Sequence, residues 1–295
     1  MMSKTDETLT KVLQVAQDAA RQAGKKFRDI ALSSENVKLA TKSATTDLVT
    51  ETDEECEKLI IAQIKANFLD PTIIGEESAG SDRYELSDSP TWTIDPIDGT
   101  TNFVHRLKMS CVIISYIVKK AVKVGVIYDP YADEMFWAIS GKGAFLSTGN
   151  GESVPIHVST TTTLSNAVIS MDPGYGRDKV AVERYTKMQA AILLRSVRNL
   201  RVIGCAGLSM AWVACGRLDA GFELGDWDSN RGPKIWDFAA GSLLLSEAGG
   251  LTLDIESPST PGVPLDLMKR SIFSAANPML AAEILECIEE GRATS

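Results

Sequence analysis

The segment Trp92-Thr93-Ile94-Asp95-Pro96-Ile97-Asp98-Gly99-Thr100-Thr101-Asn102-Phe103 joins a short apolar run to two carboxylates and a hydroxyl-rich turn. The run predicts a strand ending at Asp95. Pro96 fixes its own φ and Gly99 permits a tight reversal, a geometry that can turn Asp95 and Asp98 toward one point. Two carboxylates at close range repel, and one pKa rises unless a cation sits between them. A hard divalent ion with oxygen ligands, magnesium foremost, suits such a pair. The backbone N–H groups after Gly99, with the hydroxyls of Thr100 and Thr101, form a good anion well. Carboxylates for metal beside amides for an anion point to phosphate chemistry through two metals.

Two more acidic clusters stand at element ends. Gly75-Glu76-Glu77-Ser78 follows the run Thr72-Ile73-Ile74, and Ile235-Trp236-Asp237 opens a helix expected over 238–248. Strand ends and helix starts are where α/β proteins place ligands. Taken singly, each cluster has a plainer reading. Asp-Pro and Asp-Gly pairs make turns, a Glu-Glu pair is a solvated face, and Asp237 is a helix cap. Trp92 and Trp236 read as core. His105 lies close enough to the Asp/Thr loop to touch a substrate, with a structural role equally open, and His157 reads as structural. The conjunction of the clusters carries the chemical reading.

Around these clusters the chain alternates between elements. Leu9, Val12, Leu13, Ala16, Ala20, Ala23 and Phe27 recur at three- and four-residue steps, which predicts an amphipathic helix over 6–30. A second helix starts at 50–53, capped by Thr50 or Thr52, with Cys56, Leu59, Ile60, Ile64 and Phe68 as its apolar stripe, and Asp70-Pro71 stops it. Strands follow at 72–75 and 91–94, and β-rich runs at 110–118, 122–128 and 134–139 predict an antiparallel meander. Beyond residue 155 the pattern is strand 168–171, helix 181–194, strand 201–203, helix 208–215, strand 218–223, helix 238–248, strands 251–254 and 271–275, and helix 278–288. The first half (1–155) is therefore α+β and the second (156–295) α/β. The link at 150–155 is too short to separate them, so a single layered domain over 1–295 is expected.

Composition narrows the function classes. The chain has 295 residues, 44% of them hydrophobic, which is globular composition rather than disordered or fibrous. Its longest apolar run, 111–118, falls far short of the roughly 20 residues of a membrane helix, and residues 1–10 are too polar for a secretory signal. Thirty basic against 39 acidic residues leave a net charge of −9, which repels nucleic acid. No nucleic-acid or membrane partner is expected. Five cysteines, an odd number without metal-ligand spacing, predict free thiols and a cytoplasmic location. With two histidines in the chain, the catalytic apparatus is expected to rest on carboxylates.

Asp95-Pro-Ile-Asp-Gly-Thr-Thr-Asn-Phe resembles the first signature of the inositol monophosphatase family, and Trp236-Asp237-Phe-Ala-Ala-Gly with Glu247-Ala248-Gly249-Gly250 resembles its second. Gly75-Glu-Glu-Ser and the stretch 42–53 match in order and spacing, so the resemblance spans the chain from the first helix to Asn277. It implies a layered αβαβα fold, shared with fructose-1,6-bisphosphatase, and magnesium-dependent, lithium-sensitive hydrolysis of a phosphate monoester, inositol 1- or 4-monophosphate foremost, without a covalent intermediate. It further implies two to three Mg2+ ions: Glu76, Asp95 and the carbonyl of Ile97 on the first, Asp95, Asp98 and Asp237 on the second, and Glu76 on a weaker third. Thr100, with Asp47 behind it, is expected to orient and deprotonate the attacking water, with Glu77 supporting that network. The amides of Gly99 and Thr100 are expected on phosphate, and Glu223 with Gly204, Cys205 and Ala206 on the alcohol. The family is commonly homodimeric. Two departures bear on the substrate. Cys205 stands where a hydroxyl residue is common, and the connection between Glu223 and Asp237 is long, adding Asp226, Asp228, Arg231 and Lys234. Three rivals remain: an aspartyl-phosphate phosphatase of the haloacid dehalogenase type, whose motif is one residue shorter; a sister phosphatase acting on a sugar phosphate, histidinol phosphate, fructose bisphosphate or phosphoadenosine nucleotide; and a non-catalytic binding protein on the same fold.

Overall fold

A computed structural model describes residues 4–33, 39–41, 48–79, 84–223, 232–255, 265–269 and 271–292. The first helix, α1 (Lys4–Leu32), follows its apolar period: Val12, Ala16, Ala19, Ala20, Ala23 and Phe27 are all buried. A small antiparallel pair, β1 (Leu39–Thr41) and β2 (Leu48–Thr50), leads into α2 (Glu51–Asn67). Thr50 caps α2: its hydroxyl accepts from the Asp53 amide, and its own amide donates to Asp53 Oδ2 at 2.9 Å. Then come β3 (Thr72–Gly75), the helical turn α3 (Glu76–Ala79), β4 (Thr91–Asp98) and the short α4 (Thr100–Val104). The meander follows as β5 (Cys111–Val118), β6 (Ala121–Asp129), β7 (Glu134–Ile139), β8 (Ala144–Thr148) and β9 (Val154–Pro155). These strands form a seven-stranded sheet in the order β3-β4-β5-β6-β7-β8-β9, with β3 and β4 parallel and the later pairs antiparallel.

The second half runs β10 (Val168–Asp172), α5 (Lys179–Leu194), β11 (Asn199–Arg201), α6 (Ala206–Ala214), β12 (Ala220–Glu223), α7 (Ile235–Glu247), β13 (Leu251–Asp254), β14 (Ile272–Ala275) and α8 (Pro278–Arg292). Its sheet has the order β11-β10-β12-β14-β13; β11, β10 and β12 are parallel, and β14 pairs antiparallel with both β12 and β13. Helices α1 and α2 cover the outer face of the large sheet, α6 and α7 lie between the two sheets, and α5 and α8 cover the outer face of the second. The layers are thus αβαβα, as the family resemblance implies. The apolar filling between the sheets comes from α6 and α7, which are buried nearly all round (Leu208, Met210, Val213, Trp236, Phe238, Leu244) against Ile113, Ile127 and Phe136.

Several boundaries differ from the expected ones for local reasons. The strand expected at 91–94 continues to Asp98. Its pairing with β5 shifts there, three steps from Asp95 to Asp98 facing two from Ile113 to Cys111, a bulge that accommodates Pro96. The strand expected at 201–203 is Asn199–Arg201, because the amides of Ile203 and Gly204 turn away to the carboxylate of Asp172. Helix α6 begins two residues earlier than expected, at Ala206, which sets its first amides facing Asp98. Phe68, expected on the α2 stripe, is its C-cap. His157 is exposed and lies outside the strands. All five cysteines are free, and among the described residues no helix is long and apolar enough to cross a membrane.

Candidate metal and phosphate site

The bulge in β4 explains how Asp95 and Asp98 reach one site. In a regular strand, residues three apart point to opposite faces. The extra residue rephases the pleat, and both carboxylates are buried where β4 meets α6 and α7. Asp95 is locked by its own turn, Oδ1 accepting from the Ile97 amide at 3.0 Å. Asp98 is held from the other half of the chain: Oδ1 accepts from the Ala206 amide at 3.3 Å, and Oδ2 from the amide of Gly207 and the thiol of Cys205. Those amides are the first of α6, where a helix favours negative charge.

Asp237 sits in the first turn of α7, and its Oδ2 accepts from the Lys234 amide. The capping expected of it is real, and it coexists with a place in the cluster. Oxygens of Glu76, Asp95 and Asp237, from three separate elements, lie within 4.8 Å of one another. Burial pushes the Asp95 carboxyl well above its ordinary range, and Glu76, Asp98 and Asp237 push it further. Burial also raises Asp98 to about 6, although the Gly207 amide pulls it back. Asp237 rises to about 7, through burial first and then the charges of Glu76 and Asp98. An all-oxygen set that cannot hold its charge alone fits hard divalent cations in both ligand type and electrostatics.

The turn at Gly99 follows directly on Asp98. Gly99 has φ +82, and a Cβ there would stand 2.8 Å from the Met109 carbonyl, so only glycine fits between β4 and α4. The Thr100 hydroxyl lies 3.1 Å from the Ile97 carbonyl and 3.3 Å from Asp53 Oδ1, both acceptors for it. Asp47, expected behind Thr100, lies outside the described residues; the carboxylate that meets this hydroxyl is Asp53. The spacing Thr50-x-x-Asp53 was legible only as a helix cap, and the structure gives it both tasks. Asn102 closes the turn, its amide donating to the carbonyls of Met109, Ile203 and Gly204 at 2.8–3.1 Å.

A second missed residue is Glu57. It is buried on α2, one turn beyond Asp53, and accepts from the amides of Glu77 at 2.8 Å and Ser78 at 2.9 Å. It thereby caps α3 and fixes the turn that carries Glu76 and Glu77. The signal was a carboxylate falling next to the apolar stripe of α2. His105, the C-cap of α4, is exposed, while Trp92 and Trp236 are core.

A pocket at the start of α6 is lined among others by Asp172, Ala206, Phe238 and Glu223. Asp172 and Glu223 are register partners at the carboxyl ends of parallel strands. Asp172 is raised to about 6 by burial, against the pull of the Gly204 and Ile203 amides. Burial also raises Glu223, well above its ordinary value, and Asp172, Asp237 and Asp98 add to it. The segment 224–231, most of the long connection from Glu223 to Asp237, lies outside the described residues.

The chain is similar over nearly its whole length to known proteins. Residues 8–292 match the Inositol monophosphatase family. Inositol monophosphatase 1 of Solanum lycopersicum is 40% identical over 283 residues, covering 96% of each chain. Inositol monophosphatase 1 of Homo sapiens is 36% identical, covering 92% of this chain and 91% of its own. The crystal structure of the extragenic suppressor protein suhB from Bartonella henselae superposes with a TM-score of 0.79 at 28% identity, over 95% of this chain and 99% of that one. With the layered fold, the β4 bulge and the carboxylate cluster, these matches establish that the chain belongs to the inositol monophosphatase family.

Proposed function

We propose that the protein is a magnesium-dependent phosphate monoester hydrolase that converts inositol 1- or 4-monophosphate to inositol and phosphate. The observation that carries this reading is the convergence of Glu76, Asp95 and Asp237, with the charge of Asp98 acting on Asp95 and Asp237, beside the Thr100–Asp53 pair. Glu76, Asp95 and the Ile97 carbonyl would hold one ion, Asp95, Asp98 and Asp237 a second, and Glu76 would contribute to a third. Bound there, magnesium supplies Lewis-acid charge for the phosphate and a water acidic enough to ionise near neutral pH.

The chain's own groups do the rest. The Thr100 hydroxyl orients the attacking water, and Asp53, buried and within reach of that hydroxyl, accepts the proton. Glu77 stands beside this network on the turn that Glu57 fixes. The amides of Gly99 and Thr100 bind phosphate oxygens and stabilise the charge that builds on them. Glu223 accepts from the alcohol's hydroxyls, and Gly204, Cys205 and Ala206 form the wall on that side. The chain is taken as one domain over 1–295, since α6 and α7 pack against both sheets. A homodimer, lithium inhibition and a cytoplasmic location accompany the reading.

The test is phosphate release from inositol 1- and 4-phosphates, galactose 1-phosphate, histidinol phosphate, fructose bisphosphate and phosphoadenosine phosphate, each with magnesium, with EDTA and with lithium. Magnesium-dependent turnover led by inositol phosphates is expected. Turnover led by another ester moves the substrate and keeps the chemistry, and no turnover on any ester refutes the enzymatic reading.

A further inference from the structure

We propose that Cys111, Cys205 and Asp98 form a second cation site, one selective for a thiophilic ion such as zinc or cadmium. Its effect on catalysis rests on the reading of Asp98 as a magnesium ligand; the binding itself does not.

Cys111 opens β5 and Cys205 is the N-cap of α6, and the two are 94 residues apart in the chain. Both are buried, and both thiols point at one oxygen: Cys205 Sγ is 3.1 Å and Cys111 Sγ 3.7 Å from Asp98 Oδ2. The two sulfurs are 3.6 Å apart. Zinc–sulfur bonds of about 2.3 Å at tetrahedral angles put two sulfurs about 3.8 Å apart, and sulfur and carboxylate oxygen about 3.5 Å apart. The three atoms therefore already form one face of a zinc tetrahedron, with no side chain needing to change its place by more than a few tenths of an ångström.

Chemistry selects the ion. Thiolate ligands favour zinc, cadmium or cuprous ions, whereas magnesium prefers oxygen. On binding, each thiol gives its proton to solvent, so that one dication replaces two S–H protons and the charge near Asp98 is conserved. Burial pushes both thiols above their ordinary range and the charge of Asp98 adds to it, so the ion has to displace both protons as it binds. Both sulfurs are buried, and the carboxylate they face, Asp98, is the group they share with the acidic cluster. Because the ion takes Oδ2, it competes with magnesium for the same carboxylate.

Cadmium is the probe. One equivalent added to metal-free protein is expected to produce sulfur-to-cadmium charge-transfer absorption in the ultraviolet, retained in excess magnesium. Cys111→Ala and Cys205→Ser should each weaken binding at least about 100-fold, more than the loss of an outer-shell partner, and Cys215→Ser should leave it unchanged. Wild-type protein loaded with one equivalent of zinc should show two sulfur neighbours by X-ray absorption, a readout that needs no variant. Zinc should lower magnesium-supported phosphate release at least about 10-fold, with recovery on chelation. A zinc shell without sulfur, or a cadmium band indifferent to both substitutions, overturns the site. Absence of phosphate release with magnesium alone overturns the phosphatase reading and leaves the sulfur readouts standing.

Discussion

Replacing Glu57 by glutamine tests whether the metal turn is held from behind. The carboxylate accepts two amides at once, those of Glu77 and Ser78. A glutamine side chain accepts one and presents its NH2 to the other, donor against donor. Hydrogen bonds to a charged group contribute about 1.5–3 kcal/mol each, and a buried donor left without an acceptor costs about 1–3 kcal/mol. The substitution therefore releases the turn by about 3 kcal/mol. Shared between folding and metal binding, that gives a rise of about 10–100-fold in the magnesium concentration for half-maximal activity, the usual penalty for losing a partner behind a ligand. Phosphate release against magnesium concentration, with thermal unfolding in parallel, measures both shares. Turnover at saturating magnesium should fall only a few-fold, because Glu57 does not face the reacting groups. Glu54→Gln is the control, since Glu54 is an exposed neighbour paired with Lys58. Gly75→Ala should copy the defect by another route, as a Cβ there would collide with the Glu57 carboxylate. A folded Glu57→Gln protein with the wild-type magnesium response would refute the reasoning.

Three other outcomes are expected. Asp95→Asn should fold, as read by circular dichroism, and lose all measurable turnover; full activity would remove Asp95 from the site. Thr100→Val should cut turnover about 10²–10⁴-fold while leaving the magnesium response near wild type, because the hydroxyl serves the water and not the ions. The third concerns pH. In metal-free protein burial and mutual repulsion hold Asp98 at about 6 and Asp237 at about 7. These folded-state values exceed the ordinary carboxylate value, so the metal-free fold should lose stability as pH rises from about 4 to 7. A cation binds the ionised forms, so magnesium should release protons in that window, and its affinity should climb with pH and level off above about 7. Calorimetry in buffers of different ionisation heat measures the released protons; affinity independent of pH across the window would contradict the coupling.

What could be read from sequence was what lies close together in the chain. The amphipathic period of α1 and the meander are local patterns, and each reappears in the structure; the Asp95–Asp98 pair is as local, and the charge of Asp98 acts on Asp95. The contacts that escaped are long-range. Asp53 meets Thr100 across 47 residues, and Asp98 meets the α6 amides across more than 100. A Thr-x-x-Asp spacing announces a helix cap whether or not its second oxygen has further work, so the pattern alone could not separate the two tasks. Glu57 likewise looked like an ordinary charge on α2 until β3 and α3 were set against it. Proline hid the length of β4, since an Asp-Pro pair reads as the end of a strand and not as a bulge within one.

The grip of α6 on Asp98, reinforced by Asn102 on the carbonyls of Ile203 and Gly204, has a consequence for how such an enzyme can diversify. Cys205 and Ala206, proposed above as wall of the alcohol pocket, also tether Asp98, a proposed metal ligand. A substitution at 203–207 that admits a new alcohol therefore also shifts Asp98, and selection sees both effects together. New substrates are easier to acquire through segments of the rim that tether no ligand, while the pocket floor stays bound to the chemistry it supports.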